Sequence, residues 1–541
     1  MKKFVVLSLV GLLIMAFSAT AYAQIDFKAY GALFAGFVAH RNLTGGSDNI
    51  TSYFPAPYYP SAGAKHGQPP GPDYQYDYQG AWDKTATFYS SYANIFLEWN
   101  AGKEVKGVFN IETCNYYSGR NTIDRTATLP TGLPLTQVAQ GAEFDTGLWN
   151  TRLGQTRLRL AYIQFGVPYI GIPVPMTVTA GVIPMAVRPA FMFALTNGAG
   201  IQVDVKPDPL AFSFTWGKMA EGKIQVADDS NHYSLEARAN LGPATVGGYI
   251  LHQDMNTYPI AYNPTAYGAP SSNYEANMWW LGAYADAKAG PVNLNLDFAL
   301  DTGKVKGDAV NSDGVNFYDD KKVKYRGWAG QVKATFPWDK FSFGGVLFYA
   351  TGADLKKTSR GGNPGDSPAN DLGYATSRVG SFVFPAGSNQ WVVWAESMFL
   401  GGNFSTLVAI PQGMQAANWG NRLSRGATGG TWVAKLSASA QATPWYKVTL
   451  WGLYIGDTTK NGNTLGDAVK ANGQLRDDKT IGWELALVQD INIYKNLTLT
   501  IGSGILFAKD ALDQQVTSTA GYLNKSPKNP FIFSTKLAYM F

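Results

Sequence analysis

The chain has 541 residues and a formal net charge of +5; 15% of its residues are charged and 14% are aromatic. So small an excess of positive charge gives no support for a nucleic-acid partner. The single cysteine, Cys114, excludes an intrachain disulfide and any Cys-x-x-Cys metal or haem motif. The four histidines show no ligand spacing, so we expect no metal and no cofactor. Few charges and many aromatic residues fit a sheet with one lipid-facing and one water-facing side.

The first element in chain order is an export signal. Lys2 and Lys3 form a basic start, residues 4–17 are apolar, and Ala21-Tyr22-Ala23 is a small-x-small cleavage site. We therefore expect residues 1–23 to be a cleaved signal peptide and the mature chain to begin at Gln24. No later segment holds the roughly 18 consecutive apolar residues that a membrane helix needs, so a membrane-spanning form must be a closed barrel.

A hairpin of two alternating strands then recurs along the chain, and its clearest copy covers residues 279–300. Leu296 and Phe298 lie on an apolar face of this copy, whereas Asn295 and Asp297 lie on a polar face. A period of two with one apolar and one polar face is typical of a strand between lipid and water. We predict strands at 25–39, 84–99, 104–118, 156–166, 176–183, 199–206, 210–218, 231–241, 244–254, 276–289, 291–302, 325–336, 340–351, 429–442, 447–456, 480–492, 497–508 and 530–541.

Short turns alternate with long polar segments between these strands. This asymmetry predicts one antiparallel transmembrane β-barrel of about 18 strands over residues 24–541, with short periplasmic turns and long extracellular loops. Residues 352–428 are interpreted as a long extracellular loop. The count becomes 20 if 390–400 belongs to a hairpin and 16 if a weak pair near 176–206 is loop. Aromatic residues beside the turns predict an interfacial girdle of Trp338, Trp445, Tyr446 and Tyr494.

The end of the chain carries the most specific pattern. Leu537, Tyr539 and Phe541 alternate on one face with Phe533, and the printed sequence ends at Phe541. This pattern resembles the closing strand of outer-membrane proteins, which has a terminal Phe and an aromatic residue two positions before it. The resemblance implies that Leu537, Tyr539 and Phe541 form an assembly signal that the barrel assembly machinery reads.

A second resemblance covers about a tenth of the chain. The segments 157–162 (RLRLAY), 174–181 (VPMTVTAG) and 183–184 (IP), with a return at 198–201 (GAGI), are similar to the general porins of sulfate-reducing and related bacteria. Where those porins have an acidic run before the return strand, this chain has Phe193-Ala194-Leu195-Thr196-Asn197 without an acid. The resemblance implies a porin and a homotrimer.

The alternation also identifies charged residues that are expected to face the barrel interior. They are either wall residues that pair across strands or members of a constriction that selects solutes. Both signs occur, so no strong ion selectivity follows. Residues 184–197, with the single charge Arg188, are the best candidate for a constriction, and a short external loop or a subunit contact is the alternative. The pore-lining candidates are Lys106, Glu112, Arg157, Arg159, Arg188, Glu236, Arg238, Asp286, Lys288, Asp297, Lys333, Lys435, Glu484 and Lys536.

Three functions fit these observations, and none is enzymatic because no catalytic constellation is visible. The first is an outer-membrane porin, a water-filled channel for passive diffusion of ions and small hydrophilic solutes. The second is a substrate-specific export or uptake channel, although alginate exporters line their lumen densely with Arg and this chain does not. The third is the barrel sheath of a porin-cytochrome electron conduit. The expected surroundings are outer-membrane lipid and lipopolysaccharide.

Overall fold

The computed structural model describes residues 25–41, 86–118, 156–167, 174–185, 187, 194–195, 197–220, 229–256, 274–307, 322–354, 378–386, 388–389, 397–399, 429–464, 476–518, 521–526 and 528–541. The predicted signal peptide, residues 1–23, lies outside this part. Eighteen long strands dominate the described chain: β1 Ile25–Arg41, β2 Ala86–Ala101, β3 Val105–Ser118, β4 Thr156–Gly166, β5 Met176–Pro184, β6 Asn197–Val205, β7 Leu210–Ala220, β8 Ser230–Asn240, β9 Ala244–Met255, β10 Tyr274–Ala289, β11 Val292–Gly307, β12 Trp328–Trp338, β13 Phe341–Ala350, β14 Thr431–Thr443, β15 Tyr446–Asp457, β16 Thr480–Tyr494, β17 Leu497–Ala508 and β18 Phe531–Met540.

These strands form one closed antiparallel ring. Each strand from β1 to β17 pairs with the next one in the chain. The ring closes where Ala32–Arg41 of β1 pairs with Phe531–Met540 of β18, and Gly31 and Phe541 exchange backbone hydrogen bonds below this seam. The prediction of an 18-strand antiparallel barrel is confirmed. The ring leaves no sheet edge, which is what a sheet in lipid requires.

Alternation along the strands separates the outer surface from the inner one. On β11, Leu296 and Phe298 are 42% and 45% exposed, whereas Asp297 between them is 5% exposed. Register partners preserve this division, since Asp297 lies opposite Tyr284 on β10 and Gln331 on β12. The barrel therefore has an apolar outer face and a polar inner face. No helix in the described ranges is long and apolar enough to cross a membrane.

Aromatic side chains mark two levels on the outer face. Near the long connections, rings contact one another from strand to strand: Trp328 with Tyr349 at 4.9 Å, and Tyr454 with Trp432 at 4.8 Å and Trp483 at 4.6 Å between centroids. We call these five residues, with Tyr233 and Trp279, the loop-end aromatic ring. At the short turns, Trp338, Phe341, Trp445, Tyr494, Tyr539 and Phe541 are exposed.

The two aromatic levels are separated by about the thickness of an apolar membrane band. Trp328 and Trp338 belong to opposite levels of β12 and lie ten residues apart. Ten residues span about 33 Å along a strand, or roughly 25 Å along the membrane normal at a tilt of about 40°. Tyr446, which sequence analysis also assigns to the girdle, donates a hydrogen bond to Gln489 Oε1 at 2.8 Å.

Several short elements extend the sheet at the end with the long connections. The short strand Lys322–Tyr325 precedes β12 and pairs with the last part of β11. Arg378–Val379 pairs with this short strand in parallel. Gln514–Ser518 pairs with Gly521–Lys525, and Asp510–Leu512 is a 3-10 helix. Sequence analysis joins 325–336 into one strand. In the structure, residues 326–327 interrupt it. Gly327 lies there so close to the backbone of Phe382 that a Cβ would be 2.5 Å from it.

Candidate functional site: the inner face and the inserted segment

Opposite charges lie together on the inner face between β2 and β4. Lys106 Nζ lies 2.7 Å from Glu98 Oε2. Arg159 Nη1 lies 2.6 Å from Glu112 Oε2, and a bulge in the β3–β4 pairing places the arginine there. Glu112 is almost fully buried, while Lys106 and Arg159 are partly exposed. These charges neutralise one another, so this side of the wall presents polar groups without a net sign.

A second polar group covers β8 to β12. Tyr284 donates its hydroxyl to Glu236 Oε1. Asn295 Nδ2 donates to Asp286 Oδ1 at 2.6 Å, and Asn295 lies opposite Lys333 in the register. Acidic, amide and cationic groups therefore follow one another across neighbouring strands. Both predicted acids are held in place by donors from the wall itself.

The remaining pore-lining candidates lie in different surroundings. Arg238 and Lys288 are exposed near the short turns, and Asp297 and Lys435 are buried. Two lysines contact aromatic rings: Lys435 Nζ is 4.4 Å from the ring centroid of Trp451, and Lys536 Nζ is 5.8 Å from that of Phe34. The side chain of Arg157, and Arg188 altogether, lie outside the described residues. The structure places the described candidates around the wall rather than in one cluster.

Part of the connection between β13 and β14 packs against this inner face. Its described residues, 378–386, 388–389 and 397–399, are called here the inserted segment. Phe382, Phe384 and Phe399 are fully buried in it. Sequence analysis assigns 352–428 to a long extracellular loop; within that stretch, these described apolar side chains pack against the inner face of the wall. Asp301, Gln253 and Glu484 of the wall then anchor the segment's backbone.

The first anchor is Gln253 on β9, which is completely buried. Its Nε2 donates to Ala386 O at 2.8 Å, and Ala386 N donates to its Oε1 at 2.9 Å. The side-chain amide thus pairs with one residue of the segment as a neighbouring strand would. Trp280 on β10 adds a hydrogen bond from Nε1 to Val383 O at 2.7 Å.

The second anchor is Asp301 on β11, also completely buried. Its Oδ1 accepts a hydrogen bond from Gly327 N, and its Oδ2 accepts one from Val383 N, both at 2.7 Å. One carboxylate of the wall is therefore bonded both to Gly327, just before β12, and to Val383 of the inserted segment.

The third anchor is Glu484 on β16, buried to 2% exposure. Its Oε1 accepts from Met398 N at 2.9 Å and from Trp451 Nε1 at 2.8 Å, while its Oε2 accepts from Ser397 Oγ at 2.5 Å. Sequence analysis names Glu484 as a pore-lining candidate. It does lie on the inner face, where it binds the inserted segment.

Glycines on β17 give the segment room to approach the wall beside this anchor. A Cβ on Gly504 would lie 2.7 Å from Met398 Sδ and 3.3 Å from Phe399 Cε2. A Cβ on Gly502 would lie 3.1 Å from Met398 Cε. A Cβ at either position would displace the end of the Met398 side chain, so these two glycines form a recess for Met398 and Phe399.

The anchors lie on opposite sides of the barrel. Gln253 is on β9 and Glu484 is on β16, seven strands further round a ring of 18. The inserted segment also pairs with the connection after β5, where Ser388–Asn389 meets Ala194–Leu195. That connection is the constriction candidate 184–197 of the sequence analysis. Two connections from different parts of the chain therefore meet, and the described residues of the segment contact wall strands on both sides of the ring.

Sequence reasoning missed Gln253, Asp301 and Ser397 as functional residues. The period-two pattern places Gln253 and Asp301 on the inner face, but many polar residues share that property. A possible signal was the cluster of apolar residues at 381–399 within a polar connection. Among the described residues, no group of three or more His, Cys, Asp or Glu side chains could hold a metal ion.

Solved structures with a similar course of the chain include bacterial outer-membrane proteins. Pseudomonas aeruginosa OccK11 (OpdR) matches with 8% identity and a TM-score of 0.43, over 95% of this chain and 96% of that one. Acinetobacter baumannii OccAB4 matches with 10% identity and a TM-score of 0.43, over 96% and 99%. Pseudomonas aeruginosa OccK2 (OpdF) matches with 10% identity and a TM-score of 0.45, over 96% and 99%.

No protein-family model matches this sequence, and no curated protein sequence matches it. The structural similarities are too distant to assign a family or a substrate. The fold assignment rests on the chain's own pairing, which closes a ring of 18 antiparallel strands.

Proposed function

We propose that this chain forms a water-filled channel in the bacterial outer membrane, through which ions and small hydrophilic solutes diffuse passively. The observation that carries this proposal is the closed strand ring with an apolar outer face and a charged inner face. An apolar band between two aromatic levels fits a lipid bilayer, and a polar interior fits water. A closed ring also satisfies every strand's backbone without help from solvent.

The charges on the inner face support passive diffusion. Acids and bases alternate in pairs such as Lys106–Glu98 and Arg159–Glu112, so the wall carries no dense array of one sign. A wall of mixed sign attracts neither cations nor anions strongly. The proposal therefore includes weak ion selectivity and no catalytic activity.

The inserted segment favours a second candidate, a channel dedicated to one class of solutes. Gln253 and Glu484 hold its described residues against the inner face on two sides of the ring, so these residues occupy part of the path that a solute must take. A rigid narrowing discriminates by size and by the groups that line it. The same segment works against a sheath for a cytochrome, because such a sheath needs free space inside the ring.

The finer expectations remain part of the proposal. The sequence resemblance to the general porins of sulfate-reducing and related bacteria supports a homotrimer. Chemical cross-linking of the detergent-extracted protein tests it, with a ladder ending at three subunits as the expected result. Delivery to the outer membrane through the signal peptide and the barrel assembly machinery is likewise proposed from the sequence.

Single-channel conductance in a planar bilayer tests the channel. We expect discrete conductance steps, weak ion selectivity and an upper size limit in liposome swelling with sugars of increasing mass. Lys333→Glu on the inner face should shift the reversal potential toward cation preference. The control is Lys340→Glu in the exposed turn between β12 and β13, which should leave it unchanged. Absence of steps from folded protein would overturn the proposal.

A further inference from the structure

Six exposed basic residues form a cluster on the outer face, at the end of the barrel with the long connections. Two of them lie at the end of β11, and two lie on the short strand Lys322–Tyr325 that pairs with it. A fifth directly follows this short strand, and the sixth lies on Arg378–Val379, which pairs with the short strand in parallel. We call this cluster the basic patch, and its members are Lys304, Lys306, Lys322, Lys324, Arg326 and Arg378.

The register places like charges directly opposite each other in the patch. Lys304 lies opposite Lys324, Lys306 lies opposite Lys322, and Lys324 lies opposite Arg378 on its other side. Directly opposed side chains have Cβ atoms about 5 Å apart, and like charges at that separation are destabilising. Three such pairs in one small area call for a compensating anion.

The side chains that the structure describes provide little of that compensation. Glu275 lies opposite Lys306, and Asp254 lies opposite Asn277, which in turn lies opposite Lys304. Neither carboxylate comes within 4 Å of a patch cation, and no salt bridge joins any of the six to another residue of the described ranges. Within the described part of the chain, two acids at one edge stand against six cations.

The patch rests on a well-packed part of the sheet. Alternate residues of the same strands point inward and are buried: Val305, Val323, Tyr325 and Val379 are each at most 2% exposed. The cations are therefore fixed on the outer side by the same alternation that directs Leu296 and Phe298 outward. Their positions are preorganised, which lowers the entropy cost of binding a ligand.

The height of the patch identifies its surroundings. Thr302 lies opposite Trp279 of the loop-end aromatic ring, and Lys304 and Lys306 follow two and four residues later. Those steps place them about 7 and 13 Å along the strand beyond the aromatic level. Aromatic residues in barrels lie at the membrane interface, so the patch lies level with lipid headgroups of the outer leaflet.

We propose that the basic patch binds the phosphate groups of lipid A, the lipopolysaccharide anchor in the outer leaflet. Arg and Lys bind phosphate through charge-assisted hydrogen bonds, and cations near an anionic lipid surface add to binding. The adjacent apolar band would contact the acyl chains of the same molecule. This inference rests on the proposed placement in the outer membrane and goes beyond the channel function.

Binding of purified lipid A to the detergent-solubilised, folded protein tests the patch. Three probes are compared: lipid A with both phosphates, dephosphorylated lipid A, and inorganic phosphate as a competitor. The test variant removes three charges by Gln substitution at patch positions: Lys306→Gln, Lys324→Gln and Arg378→Gln. The control variant removes three exposed charges from short turns at the other end: Lys103→Gln, Lys340→Gln and Lys495→Gln. Heat-modifiable gel mobility verifies that each protein is folded.

The wild type and the control variant should bind phosphorylated lipid A equally. Each cation near an anionic surface increases the binding affinity by about a factor of five. The patch variant, which lacks three cations, should therefore bind lipid A roughly 100-fold more weakly. Dephosphorylated lipid A should bind the wild type as weakly as phosphorylated lipid A binds the patch variant. Millimolar phosphate should not displace lipid A. The proposal is overturned if the patch variant binds like the wild type, if dephosphorylated lipid A binds equally well, or if free phosphate competes. Bilayer conductance of the same samples tests the channel separately.

Discussion

Releasing the inserted segment from Glu484 should widen the channel without unfolding the barrel. The perturbation is Glu484→Ala, which removes a carboxylate that accepts hydrogen bonds from Ser397, Met398 and Trp451. The Met398 N–H and the Trp451 Nε1–H would then be buried without an acceptor. The strand pairing of β16 uses backbone groups only, so the ring itself stays closed.

The magnitude follows from the two lost bonds that join Glu484 to the segment, at Ser397 and Met398, because Trp451 belongs to the wall. A hydrogen bond to a charged group contributes about 1.5–3 kcal/mol, so their loss weakens docking of the segment by about 3–6 kcal/mol. This shifts the docking equilibrium toward release by roughly a hundredfold or more. The matched variant is Glu484→Gln. Its amide oxygen can still accept from Met398 and Trp451, and its NH2 group can donate to Ser397, so it should cost only about 1 kcal/mol.

Single-channel recording and liposome swelling measure the outcome. Glu484→Ala should show a severalfold higher conductance, more current noise and passage of larger sugars, whereas Glu484→Gln should resemble the wild type. Heat-modifiable gel mobility should show equal folded yield for all three proteins. If the alanine variant is folded yet keeps the wild-type conductance and size limit, Glu484 does not hold the constriction and the reasoning fails.

Three further predictions concern the wall and the chain ends. Leu296→Arg should lower the unfolding free energy by about 2–4 kcal/mol near the midplane, measured by urea titration in lipid vesicles. Asn295→Arg on the inner face should lower it far less, and equal losses would contradict the face assignment. Deleting Phe541 should reduce folded yield in cells but leave conductance normal, and normal yield with altered conductance would refute this. Mass spectrometry of the extracted protein should find Gln24 as the first residue; an intact Met1 would disprove cleavage.

The strands could be predicted because a barrel wall obeys one local rule throughout. Each strand needs an apolar residue at every second position, and the pairing of Leu296 with Val332 and of Asn295 with Lys333 follows from that rule. The predicted strand 176–183 is confirmed as Met176–Pro184, although its pattern is weak. Strand ends were less predictable, since β11 continues to Gly307 where side chains already leave the apolar band.

The inserted segment could not be predicted, because no periodic pattern marks a chain that packs inside a barrel. Gln253 and Asp301 look like any other polar inner-face residues until residues 133 and 82 positions away reach them. Their partners are backbone groups of Ala386 and Val383, which carry no signal in the side-chain sequence. Long-range pairing of this kind depends on the finished shape of the ring, whereas alternation depends only on neighbouring residues.

The docking surface of the inserted segment has a consequence for the order of folding. Gln253 and Glu484 belong to strands on opposite sides of the ring, and neither position is defined until the strands between them have paired. The segment gains less by ordering earlier, because the contacts that offset its entropy cost come from strands on both sides of the ring. We therefore expect the chain to pass through an unobstructed barrel before the segment docks, so that a newly folded molecule conducts most in the moments before docking.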